Sequence, residues 1–413
     1  MEVSVLTEDG VLAQRCPPAA SSGPSRRAER PYWRDALAGY ERARLGRGLL
    51  DLATSIVPYL VLSVVMYLSL GVSYLVTMAI AVPASGFLLR TFVIFHDCTH
   101  GSFLSSKRAN EWVGKFLGVV VYSPFGWWRH NHAVHHATVG DLERRGVGDV
   151  LTLTVAEYVA LSWRGRLGYR VFRSPLVMFG IGSFYVLVVH PRLVSRSDRP
   201  RMRRSVMGTN VALVVLVGML CWLVGWRDYL LVQTPTVLLA SSAGVWLFYV
   251  QHQFEDTYWE RASEWSYADA ALRGSSYLKL PKVLQFFCAN IGLHHVHHLS
   301  ARIPNYNLQR AHDENPMFHD VPTLSLWDGL RAVRLKLWDE DRGRLVTFPQ
   351  ARRPAAASSA PQRPARSLPA ERVRRRSRDD PWQIASGLRQ GNAQLASEPD
   401  HAASRPGAAV PSG

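Results

Sequence analysis

Cysteine is scarce: Cys16, Cys98, Cys221 and Cys288 are the four in 413 residues, and none stand in a CxxC pair. That argues against a disulfide framework and against a thiolate metal site. A cleavable leader is also missing, because residues 1–48 contain no apolar run of the kind a signal peptide needs. No zinc finger and no basic patch interleaved with aromatics is present, so the formal charge of +16 does not point to nucleic acid. Much of that charge is arginine in the tails and beside apolar runs, as expected for a chain with positive segments facing the cytoplasm. Charge is absent where it matters most. Leu52–Leu89 runs 38 residues without one charged side chain, about twice the roughly 20 residues that cross a bilayer. Val206–Trp226 and Tyr229–Gln251 are two further uncharged stretches. Their lack of alternation excludes a β-barrel, and the runs together exclude a soluble enzyme.

Leu52–Leu89 divides near Gly71 into two helices, the second continuing through Thr91–Phe95. Val206–Trp226 and Tyr229–Gln251 make a second hairpin, with its turn at Arg227 and Asp228. The expected fold is an all-α integral membrane protein: four transmembrane helices in two hairpins, with a helical cap on the cytoplasmic side. Ser174–Pro191 is uncharged but reads as re-entrant or interfacial. A crossing there would split the polar segments onto opposite sides and place Arg192, Arg196, Arg199, Arg201, Arg203 and Arg204 outside. Phe116–Trp128 is a second interfacial candidate. Residues 1–48 read as a polar N-terminal segment, 49–345 as the membrane domain, and 346–413 as a basic tail rich in Ala, Pro and Arg (Arg374–Arg376 among them). That tail offers no core-forming pattern.

Histidine is what the chain has in concentrated form. Eleven of its 15 histidines fall in four windows: HDCTH from His96, HNHAVHH from His130, the single His252, and HHVHH from His294. On a helix, residues i, i+3 and i+4 share a face. His96 and His100 obey that spacing. So do His132, His135 and His136, and again His294, His297 and His298. Eight imidazoles converging from three faces are too many for one ion and suit two. Imidazole takes iron, zinc, copper or nickel, and spacing does not choose among them. His130 points away from its neighbours, and His295 is out of phase and suits packing behind a ligand. His190 is expected at an interface, His312 and His319 in a solvated loop, and His401 in the tail. Asp97, Asp141, Asp149, Glu255 and Asp256 are candidates to orient the imidazoles, against the plainer reading of salt bridges.

The stretches HDCTHGSF, WRHNHAVHHATVGDLERRGVGDV and NIGLHHVHHLSARIPNYNLQ, in that order and split by apolar hairpins, resemble the three histidine boxes of membrane fatty acid desaturases. They look most like acyl-lipid desaturases of the delta-12 (omega-6) type, and the resemblance covers about residues 49–345. It implies a non-haem di-iron centre that uses O2 to remove two hydrogens from adjacent methylenes of a membrane lipid. It implies metal ligands at His96, His100, His132, His135, His136, His294, His297 and His298. A further family histidine, shortly after the last span, falls on His252. That residue follows its span as His96 follows Phe95. No HPGG haem motif occurs, so the electrons are expected from a separate donor such as ferredoxin. Two other readings stand beside this one. One is a related di-iron hydroxylase or ketolase of a lipid, sterol or carotenoid. The other is a membrane metal transporter, which would need ionisable ligands inside the spans, where the apolar runs have none.

Overall fold

The computed structural model describes residues 31–146, 148–195 and 199–352. Cys16, His401, Arg196, Arg374–Arg376 and most of the expected tails lie outside the described residues. Among the described residues, four helices are long and apolar enough to cross a membrane: α1 (Leu45–Ser69), α2 (Tyr74–His100), α5 (Pro200–Val224) and α6 (Trp226–His252). Two shorter helices, α3 (Lys107–Val120) and α4 (Phe125–Thr138), lie between α2 and α5 in the chain. A six-residue helix, α7 (His294–Leu299), follows α6. At 27 residues each, α2 and α6 are roughly 40 Å long. That is longer than a hydrocarbon core of about 30 Å is thick.

The break near Gly71 is where the sequence places it, after Ser69, and Ser69 Oγ meets Thr77 Oγ1 at 2.7 Å across it. The second turn is not at Arg227 and Asp228. It falls at Gly225, with φ 88° and ψ 142°, a conformation open to glycine and strained for other residues. Arg227 and Asp228 already belong to α6. The helices also outrun the uncharged stretches from which they were read. Asp51 and Arg90 lie inside α1 and α2, buried, and pair at 2.9 Å. Arg90 also donates to the carbonyl of Phe286. The charge-free runs hid this pair because each member flanks them.

Ser174–Pro191 is one arm of a bent unit. Trp163–Phe172 and Val177–Arg192 meet at 53°, and the second arm alternates π-helical and α-helical turns about a kink at Gly180. Phe116–Trp128 is not one segment but the corner between α3 and α4, and Tyr122 sits there at φ 55°. The region around the histidines is not all helical either. Leu153–Thr154 pairs in parallel with Leu337–Asp339, which pairs antiparallel with Arg344–Val346. Tyr277–Lys279 pairs in parallel with Thr323–Ser325. Strands of two or three residues are too short for a period of two to show. The buried Arg173 ties the segment leading into Leu153–Thr154 to the end of α6. It donates to the carbonyl of Leu151 at 2.8 Å, to Gln253 Oε1 at 3.0 Å and to Tyr249 Oη at 3.2 Å.

Candidate metal centre

Each histidine window sits where a helix ends or turns. His96 and His100 occupy the last turns of α2. The helix stops at Gly101, whose φ of 71° lets its N–H close back on Asp97 and Cys98. His132, His135 and His136 lie on α4. His252 is the final residue of α6. His294, His297 and His298 lie on α7, reached through Ala289 and Asn290, both at positive φ.

These nine residues come together in two groups. His96, His100, His132, His136 and His297 form one, and His135, His252, His294 and His298 the other. Within the first, Nε2 of His132 lies 2.7 Å from that of His96 and 3.1 Å from that of His136, and His297 is 3.0 Å from His136. Within the second, Nε2 of His252 lies 3.2 Å from that of His135 and 3.0 Å from that of His294, and His298 is 3.1 Å from His294. α4 serves both groups, because His135 is one residue round the helix from His136.

The donor set fits metal ions. Two ligands at right angles, each about 2.1 Å from an ion, stand roughly 3.0 Å apart, close to the spacings here. Burial, and after it the neighbouring imidazoles, holds His132, His136, His294, His297 and His298 well below the usual histidine range. The rings are therefore neutral, with lone pairs available, which is the form a metal binds. Three rings are oriented from behind. His96 Nδ1 lies 3.2 Å from Asp97 Oδ1, and His135 Nδ1 lies 2.6 Å from Asp149 Oδ1. The third, His252 Nδ1, donates to the carbonyl of Gly274 at 3.0 Å. Asp97 is itself fixed by the backbone N–H of Asn305, 2.7 Å from Oδ2.

The other acidic candidates do not reach the site. Asp141 pairs with Arg144 at 2.5 Å, Glu255 pairs with Arg344 at 2.9 Å, and both Glu255 and Asp256 are exposed. His130 stands outside both groups, as its phase on α4 requires. His295 is buried, yet its Nε2 meets His312 Nδ1 at 3.0 Å rather than any box histidine. His312 is therefore not in a solvated loop. It lies on the helix Asn305–Glu314 and stacks on Phe318 at 6.1 Å. His319 is exposed in a turn, and His190 faces Trp127 at 5.6 Å. Sequence reasoning missed Trp128, which stacks on His132 at 5.4 Å, and Phe248, 5.0 Å from His135. Trp128 is one turn before His132, which is a usable signal. Gly274, 22 residues past His252, carries none.

Comparison with known proteins agrees with this geometry. Residues 69–325 match the family model described as fatty acid desaturase. The chain is 45% identical over 312 residues to a fatty acid desaturase of Bacillus subtilis, covering 76% of this chain and 89% of that protein. It is 29% identical to the sn-1 oleoyl-lipid 12-desaturase of Synechocystis, over 54% of this chain and 64% of the relative. It is also 29% identical to the sn-1 acyl-lipid omega-3 desaturase (ferredoxin) of the same organism, over 53% and 62%. With its histidine groups and four apolar helices, the chain belongs to the fatty acid desaturase family and is an oxidoreductase.

Proposed function

We propose that the protein desaturates an acyl chain of a membrane lipid, in the manner of the delta-12 (omega-6) enzymes, with two iron ions held by the nine histidines. His96, His100, His132, His136 and His297 hold one ion; His135, His252, His294 and His298 hold the other. The observation that carries this reading is the convergence of nine Nε2 atoms into two groups at the ends of helices long enough to cross a membrane. The net change is one –CH2–CH2– unit, O2, two electrons and two protons going to –CH=CH– and two waters. A methylene has no acidic proton, so no side chain here can act on it as a base. Iron would supply the oxidising power to break these C–H bonds.

The chain's own residues set the conditions. Asp97, Asp149 and Gly274 fix ring orientation, so each Nε2 lone pair faces inward. Burial keeps water from the cradle. Five imidazoles would hold one ion and four the other, all through neutral ring nitrogens. Electrons come from a separate one-electron donor of the ferredoxin class, the kind named for one Synechocystis relative.

In this reading α1–α2 and α5–α6 are two hairpins. The bent unit at 163–192 does not cross the membrane. Both termini, all boxes and the small sheets face the cytoplasm. The desaturase domain occupies 49–345, and the tail after about Gln350 is not needed for the chemistry. The test is expression in a host without polyunsaturated lipids, followed by gas chromatography–mass spectrometry. Loss of two mass units supports desaturation, and gain of 16 would identify a hydroxylase instead.

A further inference from the structure

The helix α7 has little to hold it in shape on its own. It is six residues long, and among the described residues no side chain caps its start. Isolated helices shorter than about 12 residues are marginal in water, and this one is reached through two residues at positive φ, Ala289 and Asn290. Yet it feeds both histidine groups. His297 enters the group of five, and His294 and His298 enter the group of four. At roughly 100° per residue these three share one face, while Val296 and Leu299 point the other way. Whatever closes that back face helps to decide where three imidazoles stand.

Part of the closure comes from the other end of the chain. A short helix, Tyr32–Leu37, and the residues up to Arg44 run ahead of the first span. Leu37 is 0% exposed, while Asp35, Ala36, Ala38 and Gly39 around it are all exposed. It is buried in one cluster with Leu293, Val296, Leu299, Ile303 and Phe318. Four residues on, Glu41 Oε1 accepts from the hydroxyl of Ser300 at 2.8 Å, and Ser300 is the C-cap of α7. Trp33 lies 6.1 Å from the ring of Tyr267, whose hydroxyl donates to the carbonyl of His298 at 2.6 Å. The segment is pinned further along as well. Asn307 Nδ2 donates to the carbonyl of Tyr40 at 2.8 Å, and the N–H of Arg44 donates to Tyr306 Oη at 2.9 Å. All of these contacts are made by residues that precede the matched span 69–325.

We propose that residues 32–44 form a strap that positions α7, with Leu37 and Glu41 as positioning residues for both metal ions. It rests on the di-metal reading above and carries the working unit back ahead of residue 49. Ligands already held in place need no ordering when an ion arrives. Without the strap, Val296 and Leu299 lose their cover, α7 frays, and the entropy of ordering three ligands is charged against metal binding. Because α7 serves both groups, both ions weaken together. A change behind a single ring would act on one group alone.

The first test needs no metal. In hydrogen exchange on the metal-free protein, the amides of residues 296–300 should exchange at least about tenfold faster in Leu37→Ala than in wild type. Equal protection overturns the strap.

The second test is titration with cobalt(II), which accepts imidazole ligands and reports its coordination through its visible spectrum. In Leu37→Ala both cobalt ions should bind about 10–100-fold more weakly, as is usual when a support behind metal ligands is lost. Glu41→Ala should act in the same direction, and Leu37→Met should restore the affinity. Met66→Ala is the control for lost stability. Met66 is also 0% exposed, but it is buried with Ala81, Ala84 and Val232 among the spans. Its loss should lower the thermal midpoint as Leu37→Ala does and leave cobalt affinity at the wild-type value. Affinity that falls equally in Met66→Ala, that falls in neither variant, or that falls for one ion alone in Leu37→Ala overturns the proposal. A wild type that binds no cobalt is a different result. It sinks the di-metal reading, and the exchange experiment still decides whether the strap holds α7.

Discussion

Oδ1 of Asp149 lies 2.6 Å from Nδ1 of His135, and both side chains are almost wholly enclosed. The carboxylate holds the imidazole in the tautomer that turns the Nε2 lone pair toward His252, His294 and His298. Asp149→Asn keeps the size but can present its amide N–H to the ring instead. Loss of such a partner typically costs 10–100-fold in metal affinity. Chelator competition on the purified variant should show a weakening of about that size, with one iron released before the other. Wild-type affinity would mean that Asp149 only packs.

His252 and His130 make a matched comparison. Neither shares a helical face with the histidines of its neighbouring box, but only His252 has its Nε2 within the four-member group. His252→Ala should lose about half of the bound iron and nearly all turnover. His130→Ala should keep most of both. Equal tolerance of the two substitutions would remove His252 from the ligand set. Among the boxes, His135→Ala and His297→Ala should each abolish product, since each strips a different group.

The Asp51–Arg90 pair ties α1 to α2 in a low-dielectric setting. Removing one member of a buried pair costs about 3–5 kcal/mol, because the other charge is left unpaired. Asp51→Leu alone should lower the thermal midpoint of the detergent-solubilised protein. Asp51→Leu with Arg90→Met should recover most of the loss. Equal midpoints for the single and double variants would show that the pair is not coupled.

Lys336 supplies a pH dependence. Burial, reinforced by the Arg173 guanidinium, pushes its ammonium down to about 7, and Nζ has no hydrogen-bond partner among the described residues. Between pH 7 and the ordinary lysine range, the unfolded chain keeps a proton that the folded chain has released. Stability from this group therefore rises with pH through that window. Lys336→Met should raise the midpoint at pH 7 and narrow its gap to wild type by pH 9. A constant gap across that range would contradict the assignment.

Topology is open to cysteine labelling. Val72, in the α1–α2 turn, and Ser263, beyond α6, are both exposed. Maleimide should reach cysteines at these two positions from opposite sides of the membrane. Labelling from one side would break the four-span arrangement. Ser197, another natural position for such a probe, lies outside the described residues.

The grouping of the histidines was legible because helical phase writes itself into local spacing. His132, His135 and His136 announce a shared face wherever the helix lies. His252 has no such partner, and only its place after a span, together with the family likeness, singled it out. What supports the rings was mostly hidden. Asn305 reaches Asp97 from 208 residues away, and Gly274 offers His252 a carbonyl that no residue type encodes. His312 looked like a loop residue because its polar neighbours do not reveal that Phe318 and His295 enclose it. The misplaced α5–α6 turn has a similar origin. Charge at Arg227 and Asp228 marks where a helix meets water, whereas backbone freedom at Gly225 decides where it ends.

His96 and His100 end α2, and His252 ends α6, with no loop between either span and the cradle. The two spans touch along their length, as at Gly244, where an added Cβ would meet Leu89 at 3.5 Å. α2 carries nitrogens of the five-member group, and α6 carries one of the four-member group. A slip of one span along the other by a single residue's rise, about 1.5 Å, would shift these nitrogens relative to each other by most of a metal–nitrogen bond length of about 2.1 Å. The packing of α2 on α6 thus belongs to the mounting that keeps the two histidine groups in alignment.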